Sequence, residues 1–111
     1  MALDIAKTES DGATVLALTG QIDAVAAGSL DTALAAALAD ANAVVLDLSA
    51  LRYASSAGLR VLLKGAKSAK ADGKKLVLAA LDPAVREVFE ISGFASMFQI
   101  ALSREQALAG L

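Results

Sequence analysis

The sequence predicts an α/β fold: a mixed, mainly parallel sheet of about five strands packed with about four helices. Three observations carry that expectation. Short apolar runs alternate with helix-length amphipathic stretches along the whole chain, which argues for right-handed crossovers and parallel pairing. The first two runs are separated only by a turn signal, so the sheet opens with a hairpin and is mixed. Apolar residues make up 57% of the 111 residues but aromatics only 4%, so the core is aliphatic. A chain of this length fits one domain, residues 1–111, and can bury roughly two-thirds of the surface its unfolded form exposes.

The elements follow in order. Residues 2–9 alternate weakly, with Leu3 and Ile5 against Asp4 and Lys7, and read as a strand. Ser10-Asp11-Gly12 is a turn, and Ala13 to Leu18 is the second strand, ending at Thr19-Gly20. Residues 26–39 place Leu30, Ala33, Leu34, Ala37 and Leu38 at helical spacing. Asn42 closes the connection to Val44–Leu48, a continuous apolar strand of the kind buried on both faces. Residues 51–55 read as a loop. A helix then runs from Ser56 to about Ala71, with Leu59, Leu62, Leu63, Ala66 and Ala69 on one face and Asp72-Gly73 as its stop. Lys75 to Ala80 is the next strand. Asp82 caps a helix with Pro83 at its first position; Val85, Val88, Phe89 and Ile91 form its apolar stripe, and Gly93 ends it. Met97 to Ala101 is a last short strand. Ser103 caps a terminal helix, with Gln106 three residues on as a capping box. The order is β-β-α-β-α-β-α-β-α.

Composition narrows the chemistry. Cysteine and histidine are both absent, which removes thiolate nucleophiles, disulfides, the commonest general base and the commonest metal ligand. No phosphate-binding glycine loop occurs: Gly65-Ala66-Lys67-Ser68 lies inside a helix, with no glycine at the required distance before it. The twelve carboxylates are scattered without an obvious pair. The expectation is therefore a binding protein and not an enzyme, with no cofactor, no catalytic residue and no metal. A net charge of −2 draws the chain neither to nucleic acid nor to an anionic membrane. The N-terminal stretch has no apolar signal core, and no apolar run approaches the ~20 residues of a spanning helix. A cytoplasmic location without membrane insertion is expected.

The informative segment runs from Leu46 to Leu63: a buried strand, a short connection, then a helix opening on Ser55-Ser56. In open α/β sheets, sites collect where strands end and helices begin. The plain role of a serine there is a cap on free backbone N–H groups, worth ~1 kcal/mol. The same geometry favours a phosphate, because the helix start carries partial positive charge. A phosphate on Ser56 adds about −1.5 to −2 charge without breaking the fold. Arg60, Lys64 and Lys67 continue from Ser56 as a basic stripe. Ala57 and Val61 point away from the core face and suit a partner contact.

These residues resemble the STAS domain family, specifically the bacterial anti-sigma-factor antagonists. The resemblance spans nearly the whole chain. It includes Leu18-Thr19-Gly20-Gln21-Ile22-Asp23, Val45-Leu46-Asp47-Leu48-Ser49, Ser55-Ser56-Ala57-Gly58-Leu59, Gly73-Lys74-Lys75-Leu76, Ile91-Ser92-Gly93-Phe94 and Phe98-Gln99-Ile100. It implies a STAS fold and a partner switch. The unphosphorylated antagonist binds an anti-sigma factor that is also a serine kinase. Phosphorylation of a serine at the start of this helix releases it, and a serine phosphatase restores it. The family pattern Asp-Ser-Ser-Gly-Leu places the acceptor at Ser56, with Ser55 the other candidate. Ser55 stands where the family has Asp, and Ala57 where it has a second serine. The motif match, with Asp23 at a family acidic position, and the helix-face reading together give Asp23, Ser55, Ala57, Gly58, Arg60, Val61 and Lys64 as the expected partner-binding set. Asp23 is otherwise read as a turn or helix-cap aspartate. The alternative is a constitutive STAS subunit, in a lipid-transport ABC or scaffold complex, that binds without a phosphate cycle.

Overall fold

In the computed structural model, which describes residues 3–10 and 12–111, five strands form one sheet in the order β1-β2-β3-β4-β5. The strands are β1 (Asp4–Ser10), β2 (Ala13–Ile22), β3 (Ala43–Ala54), β4 (Lys75–Ala79) and β5 (Gln99–Ala101). The helices are α1 (Ala24–Asp40), α2 (Ser56–Ala71), α3 (Pro83–Ile91) and α4 (Arg104–Ala109), with a 3-10 turn at Ala95–Met97. β1 pairs antiparallel with β2, and every later pair is parallel. The expected element order and mixed sheet are both present; Asp11 of the expected turn lies outside the described residues.

Spatial order equals chain order, so every crossover steps in the same direction along the sheet. Right-handed crossovers then place α1, α2 and α3 on one face. The strands alternate to match. Leu16, Leu18, Val44, Leu46, Leu48, Leu76 and Leu78 face those helices and join Leu30, Leu34, Leu59, Leu62 and Phe89 in the main core. Val15, Val45, Val77 and Ala79 face the other side, where α4 covers them through Ala107 and Leu108. Large leucines thus meet three helices, and smaller valines and alanines meet one short one. α1 and α2 approach closely where Gly65 lies against Leu34: a Cβ at Gly65 would sit 2.5 Å from Leu34 Cδ2. Lys64 Nζ pairs with Asp31 at 3.0 Å across the same seam.

Four boundaries differ from the sequence reading. β2 does not stop at Thr19-Gly20 but continues to Ile22, and β3 continues through Leu51 to Ala54 where a loop was expected. The reason is two register shifts in the β2–β3 pairing, between Ala17 and Thr19 and between Gly20 and Gln21. Extra residues on β3 break the alternation there, although Leu51 is fully buried. α1 begins at Ala24 because Asp23 caps it, accepting from Ala26 N–H at 2.8 Å. On α3, Val85 and Phe89 are buried, whereas Val88 and Ile91 are exposed; nine residues against one sheet face give a narrow stripe. The last strand is only Gln99–Ala101, since Ala95–Met97 coils into the 3-10 turn.

α4 is held by chemistry as well as packing. Ser103 Oγ accepts from Gln106 N–H at 3.1 Å, the expected cap. Arg104 donates through Nε and Nη2 to Asp47 Oδ2 on β3, each at 2.9 Å. Burial pushes the Asp47 carboxyl up, but the Ser49 N–H and the Arg104 guanidinium outweigh it and hold the carboxyl below the usual aspartate value.

Two outcomes follow from this architecture. Ala80, between β4 and α3, adopts φ +59°, a left-handed conformation that costs an L-residue roughly 1–2 kcal/mol. Ala80→Gly relieves it at some cost in unfolded-chain entropy, so urea unfolding should show a net gain of about 0.5–1 kcal/mol. A loss of stability would mean that Ala80 is not strained. For Asp47, a depressed native value means that its contribution is complete above the unfolded value of about 4. It is lost as the pH falls through the lower native value. Asp47→Asn should cost about 1–2 kcal/mol at neutral pH, because Arg104 remains partly solvated. It should also raise amide exchange across residues 104–109 and flatten the stability curve below pH 4. An unchanged acid limb would exclude Asp47 as its source.

Candidate functional site

The carboxyl ends of β2 and β3 stop side by side, with Ile22 paired to Ala54. Each strand is followed by one capping residue and then a helix: Asp23 before α1, Ser55 before α2. Both helix starts therefore open on the same edge of the sheet, on strands about 5 Å apart. This brings Asp23 and the Ser55-Ser56 pair together although they are distant in the chain.

Ser55 anchors the helix start. Its N–H donates to Ile22 O at 2.8 Å, its carbonyl accepts from Leu59 N–H at 2.9 Å, and its Oγ accepts from Gly58 N–H at 3.1 Å. The cap is therefore Ser55, and Ser56 is the first helical residue, exposed on the surface. The sequence left the two serines unseparated in this respect. With Ser55 neutral and no acidic residue in the first turn, the positive end of α2 faces solvent without a compensating carboxylate of its own. Arg60, one turn on, is exposed and forms no ion pair among the described residues.

The remaining sequence-derived residues fall into different places. Ala57 and Val61 do not point away from the core as expected: both are half-buried and pack against the main cluster. The helical wheel placed them off the leucine face, but α2 sits in a wide groove between α1 and the sheet, so its flanks are covered too. Gly58 is buried and offers no side chain to a partner. A Cβ there would lie 2.6 Å from Ile22 Cγ2 and 3.3 Å from Ile22 O. It is glycine because α2 starts against the end of β2. Lys64 is exposed but bound to Asp31, which leaves Arg60 as the stripe's first unpaired cation.

The structure adds residues that sequence reasoning missed. Tyr53 is half exposed just before the serine pair, and Val25 on the first turn of α1 is 88% exposed. Between Arg52–Ala54 and α3 lies a groove of about 130 Å³, with Val88 on its wall. Its rim is tied by Arg52 Nη1, which donates to Ser49 O at 2.8 Å and pairs with the α3 cap Asp82 at 3.4 Å. The sequence signal available was the lone tyrosine beside Ser55-Ser56, hidden because residues 51–55 read as a loop. The edge thus presents an exposed hydroxyl, apolar neighbours, one carboxylate and one free cation. Among the described residues no group of three or more acidic side chains could hold a metal, and no helix is long and apolar enough to cross a membrane. The arrangement suits surface contact.

Comparison with known proteins points to one family. The family model of the STAS domain matches residues 4–107. A Bordetella bronchiseptica protein, BtrV, named a candidate anti-sigma factor antagonist, is 49% identical over 100 residues, covering 89% of this chain and 86% of BtrV. The crystal structure of an anti-sigma factor antagonist from Mycobacterium paratuberculosis superposes with a TM-score of 0.85 at 27% identity, covering 98% of this chain and 93% of that one. The Bacillus cell fate determinant SpoIIAA in its phosphorylated form shares the fold, with a TM-score of 0.74 at 19% identity, covering 98% of each chain.

The contact between Gly58 and Ile22 sets the position of α2 and yields a contrast. Ile22 is stiff at χ1 and fully buried, so Gly58→Ala should cost about 1–3 kcal/mol in urea unfolding. Gly65→Ala should cost less, because the atom it meets is the rotatable end of Leu34 and alanine favours the helix. Equal costs would mean that the start of α2 can yield as easily as its middle.

Proposed function

The chain belongs to the STAS domain family, and we propose that it is an anti-sigma factor antagonist that switches partners through phosphorylation of Ser56. Its partner is an anti-sigma factor that is also a serine kinase, and a serine phosphatase resets it. The antagonist names of its relatives support the general role. The observation that carries the finer reading is the division of labour between the serines. Ser55 holds the helix cap through three hydrogen bonds, while Ser56 stands exposed beside it. A kinase can therefore modify Ser56 without dismantling the helix start.

The contact surface in this reading is the shared edge: Asp23, Val25, Tyr53, Ser56 and Arg60, with Ser55, Ala57, Gly58 and Val61 shaping it from below. Unphosphorylated, its centre is neutral. A phosphate on Ser56 places a dianion within the contact, and desolvating it unpaired costs several kcal/mol, or orders of magnitude in affinity. Release needs no change of fold. The same charge is tolerated in the free protein, because the α2 N-terminus and Arg60 favour it.

A constitutive binding subunit is the second reading, favoured by the neutral Ser55 where the family pattern has Asp. One experiment separates the two. The purified protein, Ser55→Ala and Ser56→Ala are incubated with Mg-ATP and native cell extract, and intact masses are taken. The expected result is one added phosphate on the parent and on Ser55→Ala, and none on Ser56→Ala. No phosphate on any form, in an extract that phosphorylates a control antagonist, would overturn the switch and leave the constitutive subunit.

A further inference from the structure

Arg60 differs from the other cations around the serine edge in having nothing to engage it. A side chain on a helix meets the residues three and four positions away. For Arg60 these are Ser56, Ala57, Leu63 and Lys64, and none is a carboxylate. Arg60 is exposed and in no ion pair among the described residues. Its neighbours are occupied. Arg52 donates to Ser49 O at 2.8 Å and pairs with Asp82, the α3 cap, at 3.4 Å. Lys64 pairs with Asp31 of α1 at 3.0 Å, and its Cα lies roughly 12 Å along the helix from that of Ser56. Asp23, the carboxylate of this edge, accepts from Ala26 N–H at 2.8 Å as the cap of its own helix.

Helix geometry supplies the direction. Long side chains on an α-helix lean back toward its N-terminus, over the turn before their own Cα. The turn before Arg60 begins at Ser56, which is itself exposed. An anion four residues before a cation is the favourable order of such a pair. The guanidinium also presents its N–H donors as a fork that fits a phosphate. The spacing is held firmly, because the Ser55 cap and the close approach of Gly58 to Ile22 fix the first turn of α2. A phosphate on Ser56 thus meets the nearest cation without a partner.

We propose that Arg60 clamps a phosphate on Ser56, so that phosphorylation takes the free cation out of the edge as well as adding charge to it. The proposal rests on the reading of Ser56 as the acceptor. A partner carboxylate that meets Arg60 loses that pairing when the phosphate forms. The clamp closes within one helical turn and asks nothing of α1 or the sheet.

The test uses the whole chain with phosphoserine installed at position 56 during synthesis, so no kinase is needed. Phosphorus NMR follows the second dissociation of the phosphate between about pH 4.5 and 8. With no histidine in the chain, no other side chain has its ordinary titration centred in that window. The apparent pKa should be about half a pH unit lower in the parent than in Arg60→Gln, with Arg60→Lys between the two. Lys67→Gln, further along the same exposed face, should match the parent, and about 1 M salt should remove most of the difference. Equal values in the parent and Arg60→Gln would overturn the clamp. So would an equal change in Lys67→Gln, or an Arg60→Lys value no nearer the parent than that of Arg60→Gln. Equal values alongside phosphate gained on Ser56 in cell extract would remove the clamp and keep the switch. A lowered value with no phosphate gained there would keep the clamp's chemistry and remove the switch.

Discussion

The pairing of β2 with β3 at their carboxyl ends is the constraint on which the rest depends. Ile22 meets Ala54, its carbonyl takes the Ser55 N–H, and its side chain closes on Gly58. Those three contacts decide where both central helices begin. Shifting the register there by one residue would move Asp23 relative to Ser55 and drive the start of α2 into Ile22. The two irregularities in the β2–β3 ladder are therefore adjustments that let two strands of different length finish level. The exposed Ser56 hydroxyl thus stands on a rigid base of backbone pairing and aliphatic contact.

Much of this was readable in the sequence, for identifiable reasons. α2 and α3 announce themselves because their caps and stops are local: Ser55, Asp72-Gly73, Asp82-Pro83 and Gly93 act within a few residues of where they stand. β4 and the first half of β3 were legible as apolar runs, broken in β3 only by Asp47. What escaped was non-local. Whether Leu51 to Ala54 is loop or strand depends on its partner β2, whose extra pairing absorbs the broken alternation. Ala57 and Val61 lie off the leucine face of α2, and only the depth of the groove formed with α1 and the sheet covers them. Val88 and Ile91 share the period of a buried stripe, but a single short helix against the sheet cannot bury both. The site was half legible: the serine pair stood out, while the nearness of Asp23 and Val25 to it exists only in three dimensions.

The two faces of the sheet are secured differently. The helix-covered face relies on leucines and Phe89, with no buried polar group left unpaired among the described residues. The other face has little apolar area, and a six-residue helix adds little more. There the Arg104–Asp47 pair supplies orientation that packing alone cannot. Asp47 also accepts from Ser49 N–H, and the Ser49 carbonyl takes Arg52, which reaches the α3 cap Asp82. A line of polar contacts thus runs from α4 to α3 across the end of β3.

The sequential strand order also bears on how the molecule is made. Each strand pairs with the one synthesised just before it, so the sheet grows outward from one margin as the chain lengthens. No strand waits for a distant partner, and each crossover helix lands on a surface that already exists. Synthesis at 5–20 residues per second is slow beside the forming of such short-range contacts, so the three-helix face can assemble while translation continues. The valine face stays bare until α4 emerges. A nascent chain of this design therefore shows its neighbours a modest strip of small side chains rather than its leucine core, which lowers its burden on the chaperones of a crowded cell.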